Sequence, residues 1–165
     1  MANFYPRTVA DLRAAVEQAN AQGGAHTIHL RTGTTYTFVD GSYTRQGDTY
    51  GLYSALPEID CNLRIIGNGA TLERNNAVSD FRLARLKLSS SLQIENLTIQ
   101  NFKQDYGGTF YLLDSPSSES DLVHISFKSV QFINNSSGST NGGVLYASIG
   151  LGSITIDNCI FDNNQ

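Results

Sequence analysis

The chain has 165 residues, 40% of them hydrophobic and 16% charged, with a formal net charge of -4. That balance excludes a disordered chain, and the lack of a basic excess removes electrostatic capture of nucleic acid or anionic lipid as a default activity. A single domain of this length buries about two thirds of its unfolded surface, so a disulfide framework is not needed.

Met1–Arg7 carries no charged region followed by an apolar run, and no stretch is long enough to cross a bilayer. The expectation is a mature fragment, an engineered chain or a protein exported by another route. Thr8-Val-Ala-Asp11 has the spacing of a capping box. Val9, Leu12, Ala15, Val16 and Ala19 then recur at helical spacing until Gly23-Gly24, which predicts one amphipathic helix over residues 8–22. Thr27–Leu30 and Tyr36–Phe38 alternate as short strands.

Residues 39–54 set Tyr43, Tyr50 and Tyr53 among turn formers with no sustained period. A loop this long in a compact domain is commonly functional. Together with Tyr36, its rings are the candidate contacts to a glycan or a partner protein, since a phenol offers a flat apolar face and a polar tip. Leu63–Leu72 and Phe81–Leu88 supply further strand material.

The strongest signal comes next. Leu92–Asn101, Ile125–Asn134 and Ile154–Asn163 are three copies of one segment, with columns Ile94/Phe127/Ile156, Leu97/Val130/Cys159 and Ile99/Phe132/Phe161 aligned without a gap. Leu63, Ile65, Ala70 and Leu72 match the same columns once two bend residues are inserted. A period of roughly 30 residues means stacked units, each of two short strands and a bend. Asn96, Ser129 and Asn158 occupy the bend, where Asn tolerates left-handed backbone angles and Ser fits less well. Gly107-Gly-Thr-Phe-Tyr111 and Gly142-Gly-Val-Leu-Tyr146 recur between the copies and add a third strand to each unit. Asn101, Asn134 and Asn163 form a column read as a structural ladder that holds register along the stack, with Asn135 and Asn164 beside two rungs. Cys61 and Cys159 lie about three repeats apart, beyond disulfide reach at the usual strand spacing, and read as reduced core residues.

The helix Thr8–Asn20, the run Leu56-Pro-Glu-Ile59 leading into Ile65–Leu72, and the Gly-Gly-x-x-Tyr and Phe-x-x-Asn turns together resemble the right-handed parallel β-helices of the pectate-lyase-like superfamily. Within it the likeness is to polymorphic outer-membrane-protein and adhesin-like repeat proteins. The resemblance spans nearly the whole chain. It implies an all-β, single-stranded parallel β-helix of about four coils over residues 27–165, with the helix as an N-terminal cap and residues 1–165 as one domain. It also implies an extracellular or cell-surface location.

Enzymes of this architecture use clustered carboxylates on one lateral face. Asp105, Asp114, Glu119 and Asp121 around one loop, and Asp157 and Asp162 on the last copy, form no paired-acid motif and read as solvated charges. His26, His29 and His124 have poor ligand spacing, so no metal, cofactor or catalytic residue is assigned. The expectation is therefore a non-catalytic structural or adhesive module. Ile154, Ile156, Cys159 and Phe161 mark an uncapped end that pairs with another copy, as an oligomer or fibre, or with the remainder of a longer β-helix. The alternative is a lyase or hydrolase acting on an acidic polysaccharide, which rests on fold analogy alone.

Overall fold

A computed structural model describes residues 1–44, 52–112, 114–138, 141–147 and 150–165. These are mostly β-structure around one α-helix, arranged as a large parallel sheet and a small one. In chain order the elements are β1 (Asn3–Phe4), α1 (Val9–Gln22), β2 (Ala25–His29), β3 (Thr35–Phe38), β4 (Asn62–Arg74), β5 (Ala84–Arg85), β6 (Ser91–Gln100), β7 (Phe110–Leu112), β8 (Val123–Ile133), β9 (Leu145–Ala147), β10 (Leu151–Asp157) and β11 (Ile160–Asp162). A short 3-10 turn, Glu119–Asp121, precedes β8.

The large sheet runs β1-β2-β4-β6-β8-β10, with β3 beside β4 and β11 beside β8, and the small sheet runs β5-β7-β9. Every ladder within both sheets is parallel. Parallel neighbours need a crossover, and here each crossover is the remainder of one repeat unit.

Register follows the sequence columns. Ile28, Ile65, Ile94, Phe127 and Ile156 are successive partners, as are Tyr36, Leu72, Ile99, Phe132 and Phe161. Alternation turns these side chains inward and leaves Gln93, Glu95 and Lys128 on the outer face. The columns thus begin at Ala25–Phe38, a layer whose residues share little identity with the later copies. Phe132 stacks on Phe161 at 5.0 Å between centroids, and Phe110 on Phe127 at 5.6 Å.

Two backbone devices turn the chain between strands. Asn68, Asn96, Ser129 and Asn158 hold positive φ of 53°, 51°, 53° and 51° at the predicted bend. Asn101, Asn134 and Asn163 hold 65°, 53° and 52° at the next corner. The Gly-Gly pairs have a steric origin: Gly107 and Gly142 sit at φ 85° and 67°, while a Cβ on Gly108 would collide with the carbonyl oxygens of Ser136 and Gly143 in the next layer.

Helix α1 starts where the capping box places it. Thr8 Oγ1 accepts from the Asp11 amide at 3.1 Å, and the Asp11 carboxylate accepts from the Thr8 and Arg7 amides at 3.0 Å each. Those bonds, the Arg7 amide first, hold the Asp11 carboxyl below its ordinary range. Gly23 ends the helix at φ 61°. Leu12, Ala15, Val16 and Ala19 are buried in the same core as the strand columns. Arg13 reaches across to the Ala55 carbonyl at 2.8 Å and the Asp40 carboxylate at 2.6 Å, and Asn20 donates to the Glu58 carbonyl at 2.7 Å.

Candidate functional site

The inward columns are closed at one end and open at the other. Ile125, Phe127 and Phe132 on β8 are 2%, 1% and 0% exposed, whereas their register partners Ile154, Ile156 and Phe161 on β10 and β11 are 40%, 52% and 47% exposed. Ile160, opposite Gln131, adds an outward residue 54% exposed. Cys159 is half-buried against the core, and its thiol donates to the Asp157 carbonyl at 3.3 Å. Among the described residues β10 and β11 are paired on the β8 side alone, so their other edge presents unpaired N–H and C=O groups. Neither strand contains Lys or Pro, the residues that usually blunt a free edge.

The structure disperses the tyrosines that the sequence groups together. Tyr36 is a correction: at 2% exposure it belongs to an inward column, where its hydroxyl donates to the Pro6 carbonyl at 2.8 Å and accepts from the Arg31 amide at 3.1 Å. The period of two along Thr35–Phe38 turns it inside, and it is not presented to a ligand. Tyr43 is tied to α1, with its hydroxyl donating to Glu17 at 2.8 Å and the Arg13 guanidinium 5.8 Å from its ring. Burial first, and then Glu17, push its phenol up to about 12. Tyr53 is half exposed and lines a shallow groove of about 330 Å³ with Val39, Asp40, Val78 and Phe81. Tyr50 lies outside the described residues. Strand-like hydrogen bonds between Tyr43 and Ser54, 3.1 and 2.9 Å, close the two ends of the loop on each other.

The register ladder lies one residue beyond the predicted column. Asn101, Asn134 and Asn163 turn the corner through their backbone angles, and the axial side-chain bonds belong to Asn135 and Asn164. Asn135, fully buried, accepts from the Phe102 amide at 3.0 Å and donates to the Ile99 carbonyl at 2.9 Å. Asn164 repeats the pattern one layer on, accepting from the Asn135 amide at 3.0 Å and donating to the Phe132 carbonyl at 2.8 Å.

The acids and histidines are scattered. Asp121 accepts from the Ser117 and Ser118 amides at the start of the 3-10 turn, 3.0 Å each. His26 is buried between the Gly23 carbonyl and the Ala2 amide, His29 stacks on Tyr5, and His124 meets the Ser153 hydroxyl at 2.9 Å. Among the described residues no three His, Cys, Asp or Glu side chains converge as a metal site. Both cysteines are free, and burial pushes the Cys61 thiol up to about 11.

Sequence reading missed a buried arginine cluster. Arg82, 0% exposed, donates to the Tyr106 and Asp105 carbonyls at 2.6 and 2.9 Å and lies 4.4 Å from the centre of the Tyr111 ring. Arg85 approaches the same ring at 4.8 Å, and the Glu58 carboxylate stands 3.7 Å from the Arg85 guanidinium. The available signal was two arginines set inside the otherwise apolar run Phe81–Leu86. Such guanidiniums satisfy corner carbonyls that a parallel ladder leaves unpaired.

No protein-family model matches this chain, and comparison with curated proteins and with solved structures finds no match either.

Proposed function

We propose that this chain is a non-catalytic structural or adhesive module, a right-handed parallel β-helix of about four coils capped at its N-terminal end by α1. It works by adding a further strand layer to the β10–β11 face. The observation that carries the reading is the exposure of Ile154, Ile156 and Phe161 against the burial of their register partners Ile125, Phe127 and Phe132. An apolar column cut open beside an unpaired parallel edge is an association surface, because covering it removes apolar area from water and completes a ladder in one step. The fitting partner is another layer of the same kind, from a second copy or a longer β-helix. Display at a cell surface follows the resemblance in repeat and fold, and glycan contact through Tyr53 is secondary to it.

Sedimentation or light scattering across the micromolar range tests the reading. The expected result is concentration-dependent association of the 165-residue chain that Ile156→Lys abolishes while its cooperative unfolding persists. A monomer at every concentration sinks the proposal. So does release of new reducing ends or unsaturated products from pectin or alginate, with or without calcium, since either product requires a catalytic centre.

A further inference from the structure

We infer that a groove beside the first strands binds a sulfated sugar. The inference does not rest on the β10–β11 face, since β4, β6 and β8 stand between β2 and β10 in the large sheet. The groove encloses about 580 Å³ between residues 5–7 and residues 29–32, with Asn68 beside them, a volume within the range of small-molecule sites. Arg7, Arg31, Tyr5 and His29 line it, and no Asp or Glu does. In a chain of net charge -4 this is a local excess of positive charge. Among the described residues neither guanidinium makes an ion pair or a hydrogen bond, whereas Arg13, Arg64, Arg74, Arg82 and Arg85 all engage a carbonyl or a carboxylate. Asp11, the acid closest in sequence, turns its carboxylate to the Arg7 and Thr8 amides. It lines a separate cleft that shares only Tyr5 and Pro6 with this one.

The walls of the groove are fixed before any ligand arrives. The buried Tyr36 hydroxyl donates to the Pro6 carbonyl of one wall at 2.8 Å and accepts from the Arg31 amide of the other at 3.1 Å, so one phenol sets their spacing. Asn68 donates to the Leu30 carbonyl at 2.8 Å, and the Thr34 amide closes the turn that carries Arg31 by donating to its carbonyl at 3.2 Å. Tyr5 stacks on His29 with ring centres 4.9 Å apart and planes 12° from parallel, yet stays 69% exposed. Such preorganisation lowers the ordering cost of binding. The parts also specify the ligand. A guanidinium fork suits an oxyanion, and one bidentate arginine already engages both oxygens of a carboxylate, so two forks with no acid lining the groove suit the three terminal oxygens of a sulfate ester. The open phenol beside them suits the flat C–H face of a sugar ring. Phosphate on a bilayer or a nucleic acid is held by a broad basic face, and two arginines in a concavity of a net acidic chain do not make one.

Amide chemical-shift titration of the intact chain with glucose 6-sulfate tests the inference, with glucose, glucuronate and inorganic sulfate as comparisons. Saturable shifts are expected at Tyr5, Arg7, Arg31 and Thr32, with affinity at least about ten-fold above that for any of the other three. Arg7→Gln and Arg31→Gln are each expected to weaken binding about ten-fold and Tyr5→Ala about five-fold, with the remaining amide spectrum of each variant unchanged. Arg64→Gln, on the outer face of β4, is expected to bind as the parent does. So is Ile156→Lys, which separates this inference from association through the β10–β11 face, because either can fail while the other stands. Absent shifts, or shifts that both arginine variants leave intact, overturn the site. Equal affinity for inorganic sulfate overturns the sugar, and equal affinity for glucuronate overturns the preference for sulfate. Binding to phosphatidylserine vesicles or to a single-stranded oligonucleotide that the arginine variants abolish, with no response to glucose 6-sulfate, assigns the groove to another class of ligand and overturns the proposal.

Discussion

Two neighbouring asparagines should respond to mutation in opposite ways. Asn135→Ala removes an amide that accepts from the Phe102 N–H at 3.0 Å and donates to the Ile99 carbonyl at 2.9 Å, with all three residues buried. The truncation leaves a buried void of about one amide group, and nothing described in the structure replaces either bond. An orphaned buried amide costs about 1–3 kcal/mol and a carbonyl with a second lone pair somewhat less, so the loss is about 2–5 kcal/mol. In a domain of this size that is about 5–15 °C of melting temperature. Asn134→Gly removes a side chain that makes none of these axial bonds and relieves φ of 53°, so it is expected within about 1 kcal/mol of the parent. Chemical denaturation with coincident fluorescence and circular dichroism gives both numbers. If Asn135→Ala loses less than about 1 kcal/mol, or Asn134→Gly loses as much, then the ladder does not run through Asn135 and Asn164.

Three further outcomes follow from local geometry. Ser129→Asn, at φ 53° in a row otherwise occupied by asparagines, is expected to raise stability by about 0.5–1 kcal/mol in urea unfolding, and any loss would count against strain at that bend. Arg82→Met keeps much of the volume but removes the guanidinium donors to the Tyr106 and Asp105 carbonyls, so the expected cost is about 3–5 kcal/mol, read as a lower denaturation midpoint. Asp11 has its folded-state carboxyl held below its ordinary range, so its stabilisation is present above about pH 4 and is lost as pH falls through the folded value. The melting-temperature gap between the parent and Asp11→Asn is therefore expected to narrow below that pH, and a gap unchanged down to about pH 2 would refute the assignment.

Repetition makes the core legible in the sequence. Ile94, Phe127 and Ile156 align by counting, and a period of two together with a fixed unit length leaves one register in which apolar residues stack. The helix was equally plain, because Thr8, Asp11 and the Leu12–Ala19 stripe are local signals read over a few residues. The corner at Asn96, Ser129 and Asn158 was visible for the same reason.

What local pattern could not supply were contacts between layers. The choice between Asn134 and Asn135 as ladder turns on which of two adjacent asparagines takes the left-handed backbone angle and which points inward, and one corner residue shifts that phase. Tyr36 joins an inward column because β3 lies beside β4, and no repeat in the sequence marks that pairing. Arg82 sits in the interior because carbonyls more than twenty positions away in the chain need donors there. The sequence by itself determined a stack of parallel strands with asparagine corners, since period and left-handed tolerance are properties of single residues and their spacing. Only the tertiary structure decided which asparagines bond along the stack and that Tyr36 and Arg82 lie in its interior, because those contacts join layers about thirty residues apart that local spacing does not relate.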